Sequence, residues 1–263
     1  MLRSRIIPCL LIDNRGLVKT VGFKDPKYVG DPLNAVRIFN EKEVDELVVL
    51  DIRASAEKRE PDFKMIENLA AECRMPLCYG GGITNADQAK RIVSLGVEKV
   101  AISSAVVRDS TLVTRVAEAV GRQSVVVVVD VKRSMFGRYA LFTGNGKVKS
   151  KQDPFDFALL AQQAGAGEIV VNSIDNDGTM AGYDLKLAQR MREIVDLPIT
   201  VLGGAGKLTD IASLVQRFGL VGAACGSIFV FKGKYRAVLI SYPTAQQKEE
   251  ILNPVASATT AAA

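Results

Sequence analysis

The sequence predicts a (β/α)8 TIM barrel built from two half-barrel repeats, and three observations predict it. Eight short, β-branched apolar runs alternate with longer amphipathic stretches. The runs are continuously hydrophobic, as parallel strands covered on both faces require. The chain also repeats itself at about half its length. PLCYGGG (76–82) and PITVLGG (198–204) set Gly81 and Gly203 122 positions apart. DELVVLD (45–51) recurs at the same offset as GEIVVNS (167–173), and VAISSAVV (100–107) recurs at 123 as AACGSIFV (223–230). Such a period reads as two similar units in tandem. A doubly wound open sheet also alternates strand and helix, but it has no need of a half-length repeat.

In chain order the strands are Ile6–Ile12, Leu47–Ile52, Pro76–Tyr79, Val100–Ser103, Ser124–Asp130, Ile169–Asn172, Ile199–Leu202 and Gly222–Cys225. Amphipathic helices fill the intervals. DPLNAVRIFNEKE (31–43) opens with Asp31 as N-cap and Pro32 at the first helical position. NADQAKRIVSLG (85–96) starts at Asn85 and stops at Gly96, while Gly121 and Gly165 end two more helices. Two loops exceed what a barrel needs. Residues 14–30, rich in Gly and Lys, suit a mobile lid over an anionic ligand, and 132–152 reads as a hairpin turning at Gly144-Asn145-Gly146. The expected organisation is one domain, 1–245, with halves 1–122 and 123–245. A tail follows at 246–263, its end (253–263) disordered.

Composition removes several classes of function. The chain has no histidine, which excludes a Ser-His-Asp triad, a histidine base and an ordinary zinc-hydrolase site. The net charge of +5 is mild and few aromatics accompany the basic residues, so no nucleic acid is expected. The apolar run near the N-terminus is broken by Pro8 and closed by Asp13, too short for a signal peptide, and no stretch is long enough to span a membrane. Cys9, Cys73, Cys78 and Cys225 lack metal-ligand spacing and read as reduced thiols of a cytoplasmic protein. No metal and no cofactor is expected.

The barrel rule places chemistry at the C-terminal strand ends. There, Gly81 and Gly82 with Ser103 and Ser104 form one candidate phosphate cradle. Gly203 and Gly204 with Gly226 and Ser227 form a second, joined by Asp177 and Gly178. Glycine lets backbone N–H groups approach phosphate oxygens, and a following helix N-terminus adds a favourable dipole. Two cradles imply a substrate with a phosphate at each end. Asp130, after five valines, is the candidate acid/base; Asp51 ends strand 2 similarly, and Asp175 has the surroundings of a turn residue. At the opposite ends, Arg5, Glu46, Lys99 and Glu168 immediately precede apolar runs. Either they ring the barrel's bottom mouth or they are solvated strand starts.

RIIPCL (5–10), DELVVLDI (45–52), GGGI (80–83), VDVKR (129–133), SIDNDGTMAGYD (173–184) and GGAGK (203–207) resemble the cyclase subunit of imidazole glycerol phosphate synthase. The resemblance spans roughly residues 1–240. It implies a glutaminase partner docked at the N-terminal face, ammonia passing through the barrel, and a doubly phosphorylated, nucleotide-like substrate at the top. It makes Arg5, Glu46, Lys99 and Glu168 the ammonia gate, Lys19 the lid lysine and Asp130 one of two catalytic aspartates. Where the family carries the other, this chain has Leu11, the half-barrel counterpart of Asp130; Asp13, two residues on, is the substitute expected on the same strand face. Asn172 and Leu202 replace residues that are smaller or hydroxylated in the family. The implied role is that of a diverged paralogue supplying ammonia to acetamidino-sugar synthesis in surface polysaccharide, with a separate amide-transfer enzyme. The alternatives are a working cyclase of histidine biosynthesis and a non-catalytic scaffold that activates the glutaminase.

Overall fold

The computed structural model describes residues 3–252. Eight parallel strands close into a barrel: β1 Arg5–Asp13, β2 Leu47–Asp51, β3 Leu77–Gly80, β4 Lys99–Ile102, β5 Val125–Arg133, β6 Glu168–Ser173, β7 Ile199–Leu202 and β8 Gly222–Cys225. Each pairs with the next, and β1 meets β8 in the register Arg5 to Gly222, which leaves the barrel no open edge. The surrounding helices are α1 Pro32–Glu41, α2 Phe63–Glu72, α3 Ala86–Ser94, α4 Thr111–Val120, α5 Pro154–Ala164, α6 Leu185–Ile194, α7 Leu208–Phe218 and α8 Ala245–Leu252. Short polar side chains start many of them. Asp31, Asp62, Asn85, Asp153 and Asp184 each accept a backbone N–H from the first turn that would otherwise lack a partner.

The period of two along each strand divides the core into two layers. On β1, Ile6, Leu10 and Ile12 face the helices, while Ile7 and Cys9 point into the barrel. The interior is closed by Val48, Cys78, Ala101, Val126, Val128, Val170, Leu202 and Ala224, with Leu11 and Leu50 packed on top. It is therefore an apolar column with polar groups only at its two ends.

Three elements differ from the sequence reading. Residues 14–30, read as a long loop, hold regular secondary structure. Strands Gly16–Val21 and Lys24–Gly30 form a hairpin, antiparallel to the upper end of β1, because β1 runs straight on into it. Strand β5 likewise continues past Asp130 to Arg133, where its pairing partner becomes the antiparallel segment Tyr139–Thr143. Helix α8 lies in the segment assigned to the tail; it packs beside α7 and buries Ile251. The rest of that expected tail, 253–263, lies outside the described residues. No helix among the described residues is long and apolar enough to cross a membrane.

Candidate active site

At the N-terminal mouth the four charges form a closed ring of alternating sign. Arg5 bonds Glu46 and, at 2.8 Å, Glu168; Lys99 Nζ lies 2.9 Å from both Glu46 Oε1 and Glu168 Oε2. Thr200 Oγ1 donates to Glu168 Oε1 at 2.5 Å. A Cβ on Gly222 would sit 1.9 Å from that hydroxyl, so the glycine on β8 is what lets Thr200 sit there. Burial raises the Glu168 carboxyl, but Arg5 and Lys99 outweigh it and hold the group below its usual range.

At the other end one pocket gathers both glycine turns. Gly81, Gly82, Ser103 and Ser104 line one side, and Gly178, Gly203, Gly204, Gly226 and Ser227 the other, with Lys19, Asp130 and Asp177 between them. Gly203 and Gly204 have φ of +95° and +109°, and Gly81 and Gly82 of +123° and +75°, a backbone that side chains rarely adopt. In the first turn the Gly82 N–H is 3.3 Å from Ser55 Oγ, and Ser104 Oγ accepts from Gly144 N–H of the hairpin after β5. The hairpin after β1 closes over the pocket. Asp177 Oδ2 accepts from Thr20 Oγ1 at 2.7 Å and from the Phe23 N–H, and its carbonyl accepts from Gly22 N–H. Lys19 is 5% exposed and donates to the Cys9 carbonyl at 2.7 Å; burial pulls its ammonium pKa down.

Asp130 stands on the pocket floor. Its carboxyl is pushed up to about 6 by burial, against the lowering effect of bonds from Asn172 Nδ2 (3.0 Å) and Ser103 Oγ (3.4 Å). Leu11 lines the same floor. Asp13 does not line the pocket, contrary to the expectation that it replaces the missing aspartate. It pairs with Gly16 at the base of the hairpin, and its carboxylate lies 2.6 Å from Arg53 Nε, an ion pair outside the cavity. Strand periodicity placed it on the inner face, but that face ends where β1 leaves the barrel. Asp51 does line the pocket, yet its carboxylate accepts from the Arg53 and Ala54 N–H groups and faces Arg59, which is turn chemistry. Sequence reasoning missed Asn172 as the partner of Asp130, Thr200 as part of the ring, and Ser55. Thr200 was accessible, being two residues before the inward-facing Leu202; Ser55 carried no signal.

A half-repeat (β/α)8 barrel with paired glycine turns at its top and a charged ring at its bottom defines a narrow class. The family model for histidine biosynthesis proteins matches residues 5–236. A provisionally named imidazole glycerol phosphate synthase subunit hisF3 of Vibrio vulnificus is 58% identical over 253 residues, covering 96% of this chain and 97% of its own. A provisionally named subunit hisF2 of Pseudomonas aeruginosa is 51% identical, with 92% and 97% covered. The imidazole glycerol phosphate synthase subunit HisF of Alkaliphilus metalliredigens is 38% identical, with 87% and 91% covered. The chain thus belongs to the histidine biosynthesis protein family, as a HisF-like cyclase subunit of the imidazole glycerol phosphate synthase type.

Proposed function

We propose that this chain receives ammonia from a glutaminase docked at its ringed end, passes it up the apolar interior and delivers it for amidation of a phosphorylated substrate. The role is that of a paralogue serving acetamidino-sugar synthesis for surface polysaccharide, together with a separate amide-transfer enzyme. One observation carries this reading. The ring, the apolar column and the glycine turns form a continuous series from bottom to top, while the acid/base pair at its end has one member, Asp130, facing Leu11. Leucine moves no proton, and a positioned acid or base is worth about 10²–10⁴-fold in rate. Among the relatives, identity is 51–58% to subunits named only provisionally, two of them hisF2 and hisF3 and two of them HisF, against 36–38% to subunits named HisF without that qualification.

The test is ammonium-dependent cyclisation of the linear histidine-pathway ribonucleotide by the isolated chain, beside an ordinary HisF. The expected turnover is at least ~100-fold lower, partly restored by Leu11→Asp. Turnover equal to the ordinary enzyme would overturn the reading and leave a working histidine cyclase. Deleting the gene should strip acetamidino groups from surface polysaccharide without creating a histidine requirement; histidine auxotrophy would refute the paralogue role.

A further inference from the structure

The amide of Asn172 is 4% exposed and half satisfied. Its Nδ2 donates to Asp130 Oδ1 at 3.0 Å, but no protein group among the described residues donates to its Oδ1. The orientation follows from chemistry. An ionised carboxylate only accepts, so the NH2 must face Asp130 and the carbonyl oxygen must face the other way. That other side is the end of β7, where Asn172 pairs in register with Leu202 and where a Cβ on Gly203 would lie 3.3 Å from Oδ1. Buried acceptors are rarely left without a donor, because their lost hydration is uncompensated. Leu11 and Leu202 cannot supply one, and Ser103 is turned to Asp130.

The position of the orphan acceptor restricts its partner. Asn172 stands two residues above Val170, whose side chain belongs to the apolar interior, and four above Glu168 of the ring. A small molecule leaving the column therefore meets Asn172 Oδ1 on the β7 side of the amide and the Asp130 carboxylate on its other side, with leucine side chains beside them. Two acceptors in an apolar collar select a compact group rich in N–H donors. We infer that Asn172 and Asp130 form a binding site for ammonia or ammonium at the exit of the barrel interior, with Asn172 Oδ1 as a specificity-determining acceptor. This rests on the reading of the barrel as an ammonia conduit, and it assigns to Asn172 a role that a smaller side chain, unable to reach both Asp130 and the space beside Gly203, would not perform.

The test uses the full chain with 13C-carboxyl-labelled aspartate and follows the Asp130 resonance by NMR. Ammonium chloride is the probe, with sodium and tetramethylammonium chloride at equal ionic strength as controls. Ammonium should lower the Asp130 midpoint saturably, whereas tetramethylammonium, which has no N–H, should not. Asn172→Leu should weaken the ammonium response at least tenfold. If leucine prevents folding, Asn172→Ser, which shortens the side chain away from Gly203, makes the same comparison. An equal response to tetramethylammonium, an ammonium response that survives both substitutions, or no response at all, as when water alone satisfies Oδ1, would overturn the inference. The assay contains no glutaminase and no acceptor. Ammonium binding without amidation would therefore refute only the proposed function, and amidation without ammonium binding only this site.

Discussion

Replacing Lys99 by alanine tests whether the bottom ring is a buried, mutually satisfied structure. Its ammonium makes contacts of 2.9 and 3.1 Å with Glu46 and 2.9 Å with Glu168. The two carboxylate side chains are only 5% and 7% exposed, against 17% for Lys99 and 26% for Arg5. Without Lys99 the ring carries one net negative charge, with a single guanidinium between two buried carboxylates. Breaking a buried pair by removing one partner typically costs ~3–5 kcal/mol. Because the cations are partly hydrated, the lower end applies, and about 3 kcal/mol corresponds to a urea midpoint lowered by roughly 1 M if the slope is about 3 kcal/mol/M.

The pH dependence gives a sharper signature. Glu168 sits below its ordinary range, so its stabilisation is present above the unfolded carboxyl value and lost as pH falls through the lower folded one. Lys99 is raised, burial opposing and Glu168 with Glu46 prevailing, so its contribution is present below the unfolded lysine value and lost as pH rises through the folded one. In Lys99→Ala the Glu168 carboxyl loses one of the two cations that hold it down while burial still pushes it up. The deficit relative to the parent should therefore shrink on acidification, and a second change, Glu46→Gln, should recover part of it at neutral pH. Urea unfolding of the parent, single and double variants from pH 4 to 9 measures both effects. A deficit under about 1 kcal/mol that is flat with pH would mean ordinary solvated pairs.

Two further outcomes follow from the upper end. In Gly226→Ala the new Cβ would lie 2.6 Å from Lys19 Nζ, so the flexible lysine should be driven off the Cys9 carbonyl with the barrel intact. Trypsin should then cut faster at the exposed Lys24 and Lys27 of the hairpin and phosphate should bind several-fold more weakly; unchanged cleavage and binding would sever Lys19 from hairpin closure. For Asp130, a carboxyl raised to about 6 costs the fold nothing below its ordinary value near 3.8, and the cost builds up to pH 6 and stays constant above it. That rise corresponds to about 3 kcal/mol, so Asp130→Asn should be more stable than the parent by up to that amount at pH 8 and equal to it near pH 3.5. An equal gain at both pH values would show that Asp130 is not held near 6.

The barrel was legible because its determinants are local: apolar runs, Asp and Asn caps, and glycines at turns that need positive φ. The half-length repeat also brought forward Gly81, Gly82, Gly203 and Gly204, since a repeated unit meets the same geometry twice. What escaped depends on where a strand stops belonging to the barrel. Asp13 has the periodicity of an inward residue, but its neighbours are those of a hairpin base, and no local pattern distinguishes the two. The hairpin at 16–30 escaped for the same reason, as its charged strand Lys24–Gly30 is exposed on one side and pairs only with Gly16–Val21. Asn172 was noticed as a departure, but its role needed the measured bond to Asp130 and the orphaned Oδ1.

The column on β6 joins the two ends in physical terms. Glu168, Val170 and Asn172 are successive inward residues, so ring, apolar interior and exit lie within about 13 Å at the usual strand rise. A cation crossing that distance would leave carboxylates already satisfied by Arg5 and Lys99 and enter a stretch with no acceptor, a desolvation cost of several kcal/mol. Neutral ammonia carries no such penalty, and its first acceptors above the apolar layer are Asn172 Oδ1 and Asp130. With its carboxyl near 6, Asp130 is mostly ionised at neutral pH and can hold the nitrogen, yet it is basic enough to accept a proton when that nitrogen forms a new bond. Leu11 opposite offers no partner to return that proton. An acceptor reacting at this mouth must bring its own acid or be served by another protein, and this is the physical reason for favouring delivery over cyclisation.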